Sequence, residues 1–114
     1  GTHRHFRTWY FRAEVLMFTG TLLVDLLLGD VHTLKEKRGM VRPLLADLRR
    51  QFTVSAAEVG DTQLYRRAQV AVAVVAGEAQ HVGEVLDACE RLVAGRPEFE
   101  LLSARRWLRG LDDD

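Results

Sequence analysis

The 114-residue chain carries 16 Lys and Arg against 16 Asp and Glu, so its formal charge is zero before histidine, and 47% of it is apolar. That length and balance fit one globular domain and exclude disorder throughout. The zero net charge argues against a generic polyanion binder, no apolar run approaches the roughly 20 residues that cross a bilayer, and the single cysteine, Cys89, excludes an internal disulfide and a multi-cysteine zinc site.

Residues 1–16 begin Gly1-Thr2-His3 and carry Arg4, Arg7 and Arg12 against Glu14 alone. Met17 is a natural start for the first strand and the domain after it, so the segment reads as an extraneous or upstream-translated extension. Its longest apolar stretch, 15–18, falls short of the roughly 7–15-residue core of a secretory signal. Phe6, Trp9, Tyr10, Ala13 and Met17 fall on helical spacing, the pattern of a basic amphipathic helix that covers a sheet face or lies on anionic lipid.

Residues 18–28 alternate as a strand. Phe18, Gly20, Leu22, Val24, Leu26 and Leu28 make the core face; Thr19, Thr21, Leu23, Asp25 and Leu27 make a mixed, partly covered one. Thr33 and Glu36 have capping-box spacing, with the Glu36 carboxylate expected on the Thr33 N–H. The helix after them, to about residue 50, buries Leu34, Val41, Leu44, Leu45 and Leu48. Pro43 inside it predicts a kink rather than a break, with the missing side chain of Gly39 easing the crowding.

Residues 53–59 and 67–75 read as the second and third strands, the third apolar on both faces and so interior. Ala71 and Ala73 leave room for something bulky on one side of it. Residues 78–94 carry the cleanest helical stripe, Val82, Val85, Leu86, Cys89, Leu92 and Val93, and Gly95 with Pro97 ends it. Residues 99–109 read as a last strand, and 110–114 form an acidic tail through Asp112, Asp113 and Asp114. The order β-α-β-β-α-β predicts an α+β, ferredoxin-like sandwich over residues 17–109. It has a four-stranded antiparallel sheet with both helices on one face and the other face open.

Charge is unevenly distributed. Residues 33–52 carry six cations against two anions, or +4, and residues 76–100 carry the reverse, or −4. Two explanations compete: opposed helices that neutralise each other or a neighbouring copy, and a surface that steers an anionic partner.

Phosphate-loop, dinucleotide and metalloprotease signatures are absent, as is the Gly-rich anion cradle of an acylphosphatase. The third strand offers Val and Ala where an RNA-recognition motif stacks bases on aromatics, which excludes that mode. Asp25, Asp30 and His32 lack metal-ligand spacing, so no metal and no cofactor is expected. Asp25, Glu58 and Asp61 are the carboxylates available for acid–base work, but a wet face, a strand end and a turn account for them. Cys89, on the apolar stripe, is a core residue and not a nucleophile. No catalytic residue is therefore assigned. Lys35, Lys37, Arg38 and Arg42 crowd the start of the first helix, beside free backbone N–H groups, and Arg49 and Arg50 extend the charge to its end. Such a surface suits phosphates of RNA.

Three blocks carry a family resemblance. They are Thr33-Leu34-Lys35-Glu36-Lys37-Arg38, Val54-Ser55-Ala56-Ala57-Glu58-Val59-Gly60-Asp61, and Arg67-Ala68-Gln69-Val70-Ala71-Val72-Ala73-Val74-Val75. Together, in this order, they resemble the YlxP-like family of small bacterial proteins of unknown function, over residues 17–109. The resemblance implies the ferredoxin-like fold and, because the family's genes commonly lie among those for transcription elongation, translation initiation and ribosome maturation, a role near RNA or the ribosome. It brings no enzymatic activity. Thr33 stands where the family usually has Ser, Gln63 replaces an acidic residue, and residues 1–16 have no counterpart.

The expectation is a non-enzymatic, cytoplasmic accessory protein. It contacts RNA or the ribosome through Lys35, Lys37, Arg38 and Arg42, with Arg49 and Arg50 secondary, and contacts no membrane; the sequence identifies no small-molecule substrate. The alternative is a homo-oligomeric interaction module that pairs through its open sheet face, at Leu23, Asp25 and Leu27.

Overall fold

A computed structural model describes residues 15–112. The amphipathic helix expected near the N-terminus, and Asp113 and Asp114 of the acidic tail, lie outside the described residues. Six elements occur in the expected order: β1 (Phe18–Leu28), α1 (Leu34–Gln51), β2 (Ser55–Val59), β3 (Arg67–Ala76), α2 (Ala79–Ala94) and β4 (Phe99–Gly110). The strands form one antiparallel sheet ordered β2-β3-β1-β4, the ferredoxin-like arrangement.

Alternation in β1 decides which face is covered. Leu22, Val24, Leu26 and Leu28 are fully buried, and in β3 Ala68, Val70, Val72 and Val74 join them beneath the helices. Each large aliphatic side chain so removed from water contributes roughly 1.5–3 kcal/mol before chain entropy is charged against it. Leu44 and Leu48 of α1, and Val82, Leu86, Cys89 and Val93 of α2, close the core from above.

Gly20 sets how closely α2 approaches. A Cβ there would lie 2.4 Å from Val82 Cγ1 and 2.9 Å from Leu86 Cδ1, so the helix rests on bare backbone of β1. Gly60 has φ +73°, the left-handed turn conformation that favours glycine, and a Cβ there would meet Gln69 Oε1.

Several local readings need correction. The helix α1 runs unbroken through Pro43, but a methyl at Gly39 would meet nothing within 4 Å, so the proline does not require that glycine. β2 begins at Ser55 because the residues before it form the helix exit. Phe52 N donates to Leu48 O, and Val54 N turns back to Phe52 O. Gly95 closes α2 with φ −82°, a conformation open to any residue.

β4 holds the feature with most consequence. Its pairing with β1 shifts by one residue, from Leu26↔Leu101 to Asp25↔Ser103, which leaves Leu102 as a bulge. Phe99 and Leu101 face the core, and without the bulge residues 103, 105, 107 and 109 would follow them. The extra residue turns the strand over. Arg106, opposite Leu22, faces α2, whereas Arg105, Trp107 and Arg109, opposite Leu23, Thr21 and Thr19, face the open side.

Candidate nucleic-acid interface

The start of α1 is built around Thr33. Its Oγ1 accepts from Glu36 N and donates to Glu36 Oε1, each at 3.1 Å, so the box closes through the hydroxyl and not through the Thr33 N–H. This holds the Glu36 carboxylate at the helix start, with no ion pair to the lysines on either side of it.

The six cations assigned to phosphate contact do not form one set. Lys37 is 1% exposed and points inward. Its Nζ donates to Leu64 O at 2.6 Å and Thr62 O at 3.1 Å and lies 2.7 Å from Glu58 Oε2. The angle to Glu58 Oε2 makes that contact an ion pair and not a directed hydrogen bond. Lys37 is therefore a staple between α1, β2 and the loop after it, and its burial keeps the ammonium group away from any phosphate at the surface. Arg49 donates to Ala56 O and ties α1 to the edge strand β2. Arg50 pairs with Asp47 at 2.7 Å.

Asp47 also takes a hydrogen bond from Arg96. That bond, with the charges of Arg50 and Arg96, holds its carboxyl below the ordinary value against a smaller opposing effect of burial. Lys35, Arg38 and Arg42 remain exposed on one flank. Arg38 and Arg42 border a groove of about 250 Å³ that runs between α1 and the loop carrying Thr62 and Gln63.

Within one molecule, the opposed-helix explanation of the charge pattern fails among the described residues. No cation of α1 pairs with a carboxylate of α2; Asp87 and Glu90 instead hold Arg106 of β4 at 2.7 and 2.9 Å. Those two hydrogen bonds raise the Arg106 pKa further. Among the described lysines and arginines, five make no ion pair, hydrogen bond or ring contact: Lys35, Arg38, Arg42, Arg91 and Arg105. Three of these five share the exposed flank of α1.

Of the three carboxylates weighed for acid–base work, Asp25 and Asp61 border one depression and Glu58 lies elsewhere. Asp25 lies on the open face, where Arg67 grips it with two hydrogen bonds of 2.6 and 3.2 Å. Glu58 lies beneath α1 with Lys37. Asp61 borders the same shallow depression as Asp25 but accepts from Gln63 N in a local turn. Asp30 pairs with His32 at 2.7 Å, away from Asp25. Burial pushes the Cys89 thiol up to about 11, which keeps it an unreactive packing group at neutral pH.

On the open face Leu23 and Leu27 are half-buried beside the Asp25–Arg67 pair. Sequence reasoning missed the aromatic on this face. Trp107 is 60% exposed, with the Arg109 guanidinium 4.3 Å from the centre of its ring. The alternation of Arg105, Trp107 and Arg109 was the available signal, but the bulge at Leu102 decides where it points.

Fold and charge layout define a ferredoxin-like α+β domain with a cationic flank on its first helix. The chain belongs to the DUF503 family, a family of proteins of unknown function, whose profile matches residues 19–106. No curated protein matches it. No helix among the described residues is long and apolar enough to cross a membrane.

Proposed function

We propose that the protein is a non-enzymatic, cytoplasmic accessory protein that contacts RNA, on the ribosome or near it, through the flank of α1 formed by Lys35, Arg38 and Arg42. One observation carries this reading: these three exposed cations have no partner within the described molecule, whereas Lys37, Arg50, Arg67, Arg96 and Arg106 are each paired with a carboxylate, Arg50 and Arg96 sharing Asp47. A cation without an internal partner is available for a phosphate, and each phosphate neutralised releases counterions. The resemblance to the YlxP-like proteins is a second, independent support. Arg49, tied to Ala56 O but paired with no carboxylate among the described residues, stays at the far end of the stripe as an auxiliary contact, while Lys37 and Arg50 leave the set.

Replacing Lys35, Arg38 and Arg42 together by Glu should abolish co-sedimentation with ribosomal subunits while leaving the circular-dichroism spectrum unchanged. For single-stranded RNA, the slope of log affinity against log salt should fall by about 2, near 0.7 for each lost contact. Co-sedimentation that survives the triple reversal removes the proposal.

The self-associating alternative draws on the open face, where Val75 is 63% exposed beside Ala71, Ala73 and half-buried Leu23. Its signature is a dimer that persists at high salt and is lost on Leu23→Lys.

A further inference from the structure

The reversal of β4 sorts three neighbouring arginines. Arg106 faces α2 and is held by Asp87 and Glu90. Arg105 and Arg109, one residue to either side of Trp107 on the same face once Arg106 and Leu108 are passed over, have no carboxylate partner among the described residues. An exposed indole flanked by two guanidinium groups without carboxylate partners, each about 6.6 Å from it and so about 13 Å from each other along the strand, is a combination that serves neither the core nor internal charge balance.

We propose that this end of the open sheet face is a stacking platform for single-stranded RNA, with Trp107 stacking a base and Arg105 and Arg109 meeting the flanking phosphates. A depression of about 340 Å³ bordered by Thr21, Leu23, Arg105 and Trp107 receives the base. Arg109 covers one face of the indole, and the 60% exposure leaves the ring open to a ligand. Stacking on aromatics beside a cationic track is how single strands are bound without sequence readout. Thr19 and Thr21, opposite Arg109 and Trp107, add hydroxyls to this face that can hydrogen-bond a ribose 2′-hydroxyl. The choice of RNA rests on the proposed function, but the residues are distinct. α1 packs over β2, at the opposite edge of the sheet from β4.

Edge pairing with a second copy in the register centred on Arg105 and Arg106 would set arginine opposite arginine, and like charges directly opposite destabilise a sheet pair. The exclusion of base stacking drawn from β3 holds for the middle strands and does not reach this edge strand.

The test uses the full chain in a Trp9→Phe background, where Trp107 is the one remaining tryptophan. Titration with a short oligouridylate should quench its fluorescence, and the same oligonucleotide carrying a fluorescent label should bind Trp107→Ala roughly 5- to 150-fold more weakly. Arg105→Glu with Arg109→Glu should lower the salt slope by about 1.4. The Lys35, Arg38 and Arg42 reversal should leave the quenching in place, so failure of the helix reading and failure of this one are told apart. Absence of quenching overturns the proposal, as does equal binding of oligothymidylate. A salt-resistant dimer abolished by Trp107→Ala overturns it in favour of self-association.

Discussion

α1 and α2 lie on the same face of one sheet and carry opposite charge, yet their charged side chains are committed differently. Two acids of α2, Asp87 and Glu90, turn toward β4 and hold Arg106, so part of the negative charge is consumed in docking the helix. α2 itself is seated on the bare backbone at Gly20. α1 divides its cations: Lys37 goes inward to Glu58 and two carbonyls, while Lys35, Arg38 and Arg42 stay outside with no partner among the described residues. Equal and opposite segment charges therefore say little about what each helix offers a partner. What matters is which charges the fold has already satisfied.

The sharpest way to break that contrast is to remove the inward cation. Lys37→Met should cost about 3 kcal/mol in urea unfolding, because it strands the mostly buried Glu58 carboxylate and frees two carbonyls. The double variant with Glu58→Leu should recover much of the loss, since an ion pair of this depth is readily replaced by apolar packing. If Lys37→Met weakens RNA binding and leaves stability intact, the division of α1 into staple and surface is wrong.

The corresponding perturbation of α2 is Gly20→Ala. Val82 and Leu86 are fully buried and cannot both move away, so a cost of about 1–3 kcal/mol is expected from overpacking. Its effect should appear in thermal or urea midpoints and leave RNA binding by the α1 flank unchanged, which separates the two helices functionally.

Much of the architecture was legible because it depends on local spacing. Alternation in β1, the apolar stripe of α2 and the Thr33 cap each involve residues a few positions apart. Lys37 was partly legible and misread. Positions 34, 37, 41, 44 and 48 follow one helical stripe, so the spacing that marks Leu34, Val41, Leu44 and Leu48 as core marks Lys37 as well. Its charge argued for the surface, and the partner that reverses this, Glu58, lies far along the chain in β2. Trp107 was illegible for another reason. Strict alternation from Phe99 puts it in the core, and only the pairing register with β1, which inserts Leu102 as a bulge, puts it outside.

A smaller effect tests how α1 is joined to the α2–β4 connection. Arg96 bonds Asp47 from the loop after α2, and Arg50 pairs with the same carboxylate from within α1. The Asp47 pKa is lowered on folding from its ordinary value of 3.8, chiefly by the Arg96 hydrogen bond. A group whose folded pKa lies below its unfolded one stabilises fully above the unfolded value and loses that contribution as pH falls through the folded value. Asp47→Asn should therefore be less stable than the parent at pH 7, and the two unfolding curves should draw together as pH falls below about 4. A difference that stays constant down to pH 2 would mean that Asp47 acts through the shape of its contact and not its charge. The link between the two helices would then be packing alone, and the cations of α1 would owe nothing to this carboxylate.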